Sequence, residues 1–154
     1  MKCIIVYCSK TGNTEKVAMA IEKGLNGDVD MVKLDLNPEG MLNDFSDTFT
    51  LDLSPYDLIF LGGWVMVMRV HPYLYAYINR CINLEDKRVV GFLTGGAGLS
   101  REHAFDDFKE LIERREAHLV DFSYTPTLLG LTLTRKKLKA AEIFASEILK
   151  KFNP

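Results

Sequence analysis

The chain has 154 residues, 47% hydrophobic and 26% charged, a balance that excludes a disordered protein and predicts one folded domain over 1–154. Nineteen Lys and Arg against twenty-one Asp and Glu leave a net charge of −2, so no basic field for nucleic acid is evident. The longest mainly apolar stretch, 58–68, is too short to span a bilayer, and Cys3, Cys8 and Cys81 form neither a disulfide framework nor a zinc pattern.

Residues 1–8 carry one charge, Lys2, and read as a strand rather than a signal peptide, so a soluble cytoplasmic protein is expected. Residues 3–7 are continuously apolar, as in a strand covered on both faces. Residues 14–25 place Val17, Ile21 and Leu25 on one helical face, with Glu15 near the positive helix start. Residues 29–34 alternate as a second strand, and 36–54 read as a loop. The third strand is expected at 57–61, ending at Gly62-Gly63. Pro72 opens a helix through 82, because its missing N–H is no loss in a first turn. A fourth strand at 88–93 ends in Thr94-Gly95-Gly96-Ala97-Gly98. Ser100 is the expected cap of a helix burying Ala104, Phe105, Phe108, Leu111 and Ile112. A fifth strand follows at 118–122, and Thr134 caps a last helix with Leu138, Ala141, Ala145, Ile148 and Leu149 inward.

Five strands with crossovers between them predict an α/β fold, a parallel sheet with helices on both faces. Such sheets bind ligands at the carboxyl ends of their strands. Three loops therefore matter: 8–14, 62–71 and 94–100. In the first, Ser9, Thr11 and Thr14 offer hydroxyls, Asn13 an amide, and Gly12 lets the backbone approach closely. Together with N–H groups at a helix start, this composition suits a phosphate better than a plain turn. Lys10 lacks the frame of a nucleotide-binding loop. Cys8 lacks the Arg that a cysteine phosphatase needs after five intervening residues, since Thr14 stands there. Cys8 therefore reads as a packing residue.

The motif Ser9-x-Thr11-Gly12-Asn13-Thr14 after a first strand resembles the FMN phosphate loop of the flavodoxin family. The stretch 56–62 resembles that family's third strand, and 94–98 falls where its second flavin loop lies. The resemblance covers essentially the whole chain and implies a doubly wound five-stranded sheet of order 2-1-3-4-5. It implies FMN as cofactor, with the phosphate on Ser9, Lys10, Thr11, Gly12, Asn13 and Thr14. Gly63, Trp64, Val65 and Met66 would supply apolar surface to the flavin ring, and Thr94, Gly95, Gly96 and Gly98 backbone donors to its edge. The sequence departs from the family at Met66-Val67-Met68, which has neither the usual aromatic residue nor a glycine, and at 94–100, which has no Tyr or acid.

The function implied is electron transfer between redox partner proteins through bound flavin. Two alternatives stay open: an FMN-dependent NAD(P)H or quinone reductase, and a flavin-free interaction module. No Ser-His-Asp or Cys-His spacing assigns a catalytic residue, and neither a nucleic acid nor a membrane span enters the reading. Arg69 and His71 lie on the expected carboxyl edge, where either would contact a substrate or offset charge on the flavin. Residues 34–68 hold six acids (Asp35, Glu39, Asp44, Asp47, Asp52, Asp57) and no Lys or Arg until the following residue. They read as a solvated loop, with an acidic rim for a basic partner as the minority alternative.

Overall fold

The computed structural model describes residues 1–26, 29–35, 50–128 and 133–152. Strand β1 (Cys3–Tyr7) pairs in parallel with β2 (Val29–Lys33) on one side and β3 (Leu58–Met66) on the other. Beyond β3 lie β5 (Arg88–Gly95) and β6 (His118–Pro126), also parallel, giving the order β2-β1-β3-β5-β6. This is the expected doubly wound order, renumbered by one short additional strand, β4 (Arg69–Val70).

Period-two alternation sorts the strand side chains onto two cores. Cys3, Ile5, Tyr7, Leu58, Phe60, Val90 and Phe92 face α1 (Asn13–Gly24) and α4 (Arg135–Phe152). Ile4, Val6, Ile59, Leu61, Val89 and Leu93 face α2 (Pro72–Arg80) and α3 (Ser100–Arg114). Both faces are covered, which explains why the three central strands are apolar throughout instead of alternating with polar residues.

Four expectations change. First, β3 does not end at Gly62-Gly63 but runs on to Met66. Those glycines are there for space. A Cβ on Gly62 would stand 2.0 Å from the Phe92 ring, and one on Gly63 would stand 2.9 Å from Leu74. Second, β6 continues from the expected end at 122 to Pro126. Third, Ser100 lies inside the first turn of α3; the cap position is Leu99, and no side chain caps the helix. Fourth, α2 stops at Arg80 because Cys81 is extended. Thr134 does cap α4, accepting from the Lys137 N–H at 3.3 Å.

Most of the expected 36–54 loop, with Glu39, Asp44 and Asp47, lies outside the described residues. Among the acids that are described, Asp57 precedes β3 at the amino edge of the sheet, and Asp52 accepts from Ser54 and Asn83.

The extension of β3 turns back on itself as a hairpin with β4, pairing Val65 with Val70 and Met66 with Arg69. Two residues make the turn, Val67 at φ 50° and Met68 at φ 63°. Two-residue hairpins require this left-handed backbone, but Asn and Gly adopt it far more cheaply than a β-branched residue. Replacing Val67-Met68 by Asn-Gly is therefore expected to raise unfolding stability by about 1–2 kcal/mol in a urea titration. An unchanged or lower midpoint would contradict a strained turn.

Candidate functional site

The carboxyl ends of β1, β3, β5 and β6 enclose a cleft of about 350 Å³. Lys10, Thr11, Asn13 and Thr14 come to it from the first loop, Trp64 and Val65 from β3, and Thr94, Gly95 and Gly96 from the end of β5. Thr127, just beyond β6, completes the lining. Nine of the residues expected at a ligand thus converge. Ser9, Gly12, Gly63, Met66 and Gly98 do not line the cleft. Ser9 and Gly12 shape its first loop, Gly63 is buried under Leu74, and Gly98 (φ 77°) turns the chain toward α3. Met66 belongs to the outer hairpin surface with Val67, Arg69 and Tyr75.

The first loop is built by one side chain. The Ser9 hydroxyl oxygen accepts from the backbone N–H of Gly12 at 3.2 Å and of Glu15 at 3.3 Å, pulling the loop onto the start of α1. Gly12 occupies the N-cap at φ 90°, a conformation that costs glycine little. Asn13 and Thr14 are buried immediately inside the helix. Helix starts carry partial positive charge, and Lys10 adds a full one on the cleft wall. Glu15, the acid in the first turn of α1, is occupied: it accepts from the Tyr7 hydroxyl at 3.2 Å and pairs with Lys33 at 3.1 Å. Among the described residues no carboxylate lines the cleft. The arrangement selects an anion.

The first and second loops are joined directly. The hydroxyls of Thr14 and Thr94 share a buried hydrogen bond of 2.9 Å. On the far side, Tyr124 donates to the Gly96 carbonyl, and Thr127 donates to the Gly95 carbonyl from its N–H at 2.6 Å and its hydroxyl at 3.3 Å. A Cβ on Gly95 would lie 2.5 Å from the Tyr124 oxygen and 2.9 Å from Val65 Cβ, so glycine alone fits between the walls. Nothing in the sequence marks Tyr124 and Thr127, because β6 reads as ending at 122. Had its true end been placed, Thr125-Pro126-Thr127 would have fallen on the same ligand-binding edge.

Trp64, paired with Thr94 across the sheet, presents an aromatic wall that is braced from behind. Its ring centroid lies 4.1 Å from that of His71 and 5.6 Å from that of Tyr73. The His71 N–H donates to the Trp64 carbonyl at 3.0 Å, and His71 Nδ1 accepts from the Tyr73 N–H at 3.3 Å as the N-cap of α2. The ring proton therefore sits on Nε2. His71 is only 6% exposed, and burial, aided by the charge on Lys10, pushes its pKa down to about 4. It is a neutral brace, not a cation facing a ligand. Arg69 is carried away on the hairpin. Cys8 is buried and burial pushes its thiol up to about 12, so it supplies no thiolate nucleophile and phosphatase chemistry is closed to it.

The depressed His71 pKa has a fixed sign. The unfolded chain takes up this proton near pH 6.5 and the folded chain only near 4, so stability falls as pH drops through that window. His71→Gln is expected to remove the part of the decline above about pH 5, read as denaturant midpoints across pH. An identical slope in the variant would show that His71 is not buried in its neutral form.

A family model for the flavodoxin domain matches residues 4–125. Among solved structures, oxidised Flavodoxin 2 from Bacillus cereus superposes with a TM-score of 0.74 at 23% identity, covering 99% of this chain and 100% of its own. A WrbA-like flavodoxin protein from Agrobacterium tumefaciens gives 0.75 at 15%, covering 97% and 96%. A flavodoxin from the domain Archaea gives 0.70 at 20%, covering all of both chains. No curated protein sequence gives a significant match. At these identities the structures speak for the fold, and the family match supplies the assignment: this chain belongs to the flavodoxin-domain family.

Proposed function

We propose that the protein binds FMN in the carboxyl-edge cleft and acts as an electron carrier between redox proteins. The observation that carries the reading is the first loop. It combines hydroxyls, an amide, a cation and a helix start, with no carboxylate among the described residues lining the cleft, beside an aromatic wall. The residues present fit the group. Thr11, Asn13, Thr14 and Lys10 would hold its phosphate, with Ser9 and Gly12 keeping the loop in shape. Trp64 and Val65 of β3 and the Thr94–Gly96 turn would border the flat ring, and Gly96, where a Cβ would meet nothing nearer than Ser100 Oγ at 3.8 Å, leaves its side of the cleft open. Bound FMN supplies one- and two-electron redox chemistry that no side chain offers.

The chain's own contribution is binding and exclusion. Thr14 and Thr94 fix the spacing of the two loops, and the Trp64–His71–Tyr73 ring cluster fixes one wall without adding charge. The carrier reading is favoured over a reductase by the hairpin tip. Met66, Val67 and Met68 are 49%, 86% and 45% exposed, next in sequence to the Trp64-Val65 wall. Apolar side chains held out beside a site suit brief contact with a protein surface.

Thr11→Val is expected to weaken FMN binding by about tenfold or more, the worth of a hydrogen bond to a charged group, while riboflavin binding stays nearly constant. Equal losses for both ligands, measured by fluorescence titration, would refute the phosphate role of the loop. Carrier and reductase separate in a second assay. FMN-loaded protein mixed with NADPH and a quinone is expected to stay yellow until a separate flavin reductase is added. Rapid turnover without one would make it an enzyme.

A further inference from the structure

The two helices on the α1/α4 face leave an open seam between them. Lys16, Met19, Ala20 and Lys23 line it from α1, and Arg135, Leu138, Lys139 and Glu142 from α4. Both sets follow the spacing i, i+3, i+4, i+7, so each helix presents one continuous stripe to the seam. The helices touch at Gly24, where a Cβ would meet the Glu142 carbonyl oxygen at 2.2 Å and Ala145 Cβ at 2.9 Å. The groove of about 670 Å³ lies on the side of that contact toward the two N-termini.

Its chemistry is layered. Met19, Ala20 and Leu138 are its apolar residues, and Met19 is 56% exposed, which is high for so apolar a side chain. Four cations and one carboxylate border that strip, leaving three positive charges locally on a chain whose total is −2. The carboxylate, Glu142, is shared by Lys23 at 3.2 Å and Lys139 at 2.8 Å. Lys16 and Arg135, at the N-terminal ends of the two helices, have no ion-pair partner among the described residues. The uncompensated charge is therefore concentrated at the end nearest the carboxyl edge of the sheet.

We propose that this seam is a docking groove for an acidic amphipathic helix of a partner protein. A third helix laid into a two-helix seam would set an apolar stripe on Met19, Ala20 and Leu138 while its flanking Glu or Asp side chains meet Lys16 and Arg135. Charge complementarity selects the acid, and the apolar strip selects a protein over DNA. Among the described residues the groove offers no aromatic stacking platform and no array of amides to read bases. The groove shares no lining residue with the flavin cleft, so this inference does not depend on FMN binding.

The test uses the purified full chain, with and without FMN, and a fluorescein-labelled helical peptide of about 18 residues carrying Leu at i, i+3, i+4, i+7 and Glu elsewhere. The expected result is saturable binding in anisotropy that falls about tenfold or more between about 50 and about 500 mM salt. The same peptide with Lys in place of Glu should not bind. The double variant Lys16→Glu/Arg135→Glu should lose about tenfold, and Met19→Ser about threefold. Lys109→Glu, on α3 of the opposite face, should leave binding unchanged and reports that the fold is intact. Equal binding of both peptides, or equal loss in Lys109→Glu, would overturn the proposal. So would groove-dependent binding of a DNA duplex or anionic vesicles tighter than that of the acidic peptide, or a dimer in sedimentation that the double variant dissolves.

Discussion

Two buried hydroxyls, those of Thr14 and Thr94, meet at 2.9 Å, and the width of the cleft follows from that contact. Thr14 stands in the first turn of α1, whose partial charge faces the first loop, and Thr94 stands at the end of β5 beside Trp64. Joining them ties the anion-selecting half of the site to the half with flat walls. Both hydroxyls are deeply buried, so neither is cheap to leave unpaired. The glycines act in the same direction. At Gly62 the missing side chain makes room for the Phe92 ring, and at Gly95 it lets Tyr124 and Val65 close on the backbone. Close packing beneath the sheet edge and open space at the edge are two results of one placement of small residues.

The aromatic wall illustrates how a titratable group can serve as structure. His71 could have carried a charge toward the cleft. Instead it caps α2, packs at a tilt against both Trp64 and Tyr73, and is held neutral by burial. A neutral brace leaves the electrostatics of the cleft to Lys10 and the start of α1, with Glu15 turned to Tyr7 and Lys33. The hairpin that holds His71 against Trp64 is closed by Val67 and Met68 at positive φ, and sites often retain such strain when a side chain is needed at the tip.

Much of this was legible in the residues because the signals were local. A run such as Cys3-Ile4-Ile5-Val6-Tyr7 can only be a strand covered on both sides, and hydroxyls around Gly12-Asn13 before an amphipathic helix mark an anion loop. Three features were hidden for physical reasons. The β3–β4 hairpin lacks the Asn-Gly or Asp-Gly turn that announces a two-residue connection, so Gly62-Gly63 looked like the end of the strand. The last half of β6 is an edge strand, whose half-buried Ser123 and Tyr124 and buried Thr125 are all polar and carry no apolar alternation, and Thr127 lies beyond it. The brace on Trp64 is a tertiary contact between residues whose sequence pattern says nothing of ring stacking. Ser100 shows the reverse error: a good capping residue sits one position too late, and Leu99 takes the cap.

The central claim is that the cleft bounded by the Ser9–Thr14 loop, Trp64 and the Thr94–Gly96 turn holds one FMN. Trp64 is the single tryptophan of the chain, so its emission reports directly on that wall. Titrating the full-length protein with FMN should quench Trp64 emission to a plateau at one FMN per chain and quench the flavin's own fluorescence in parallel. Flavin that stays fully fluorescent while Trp64 emission remains unchanged would contradict the account.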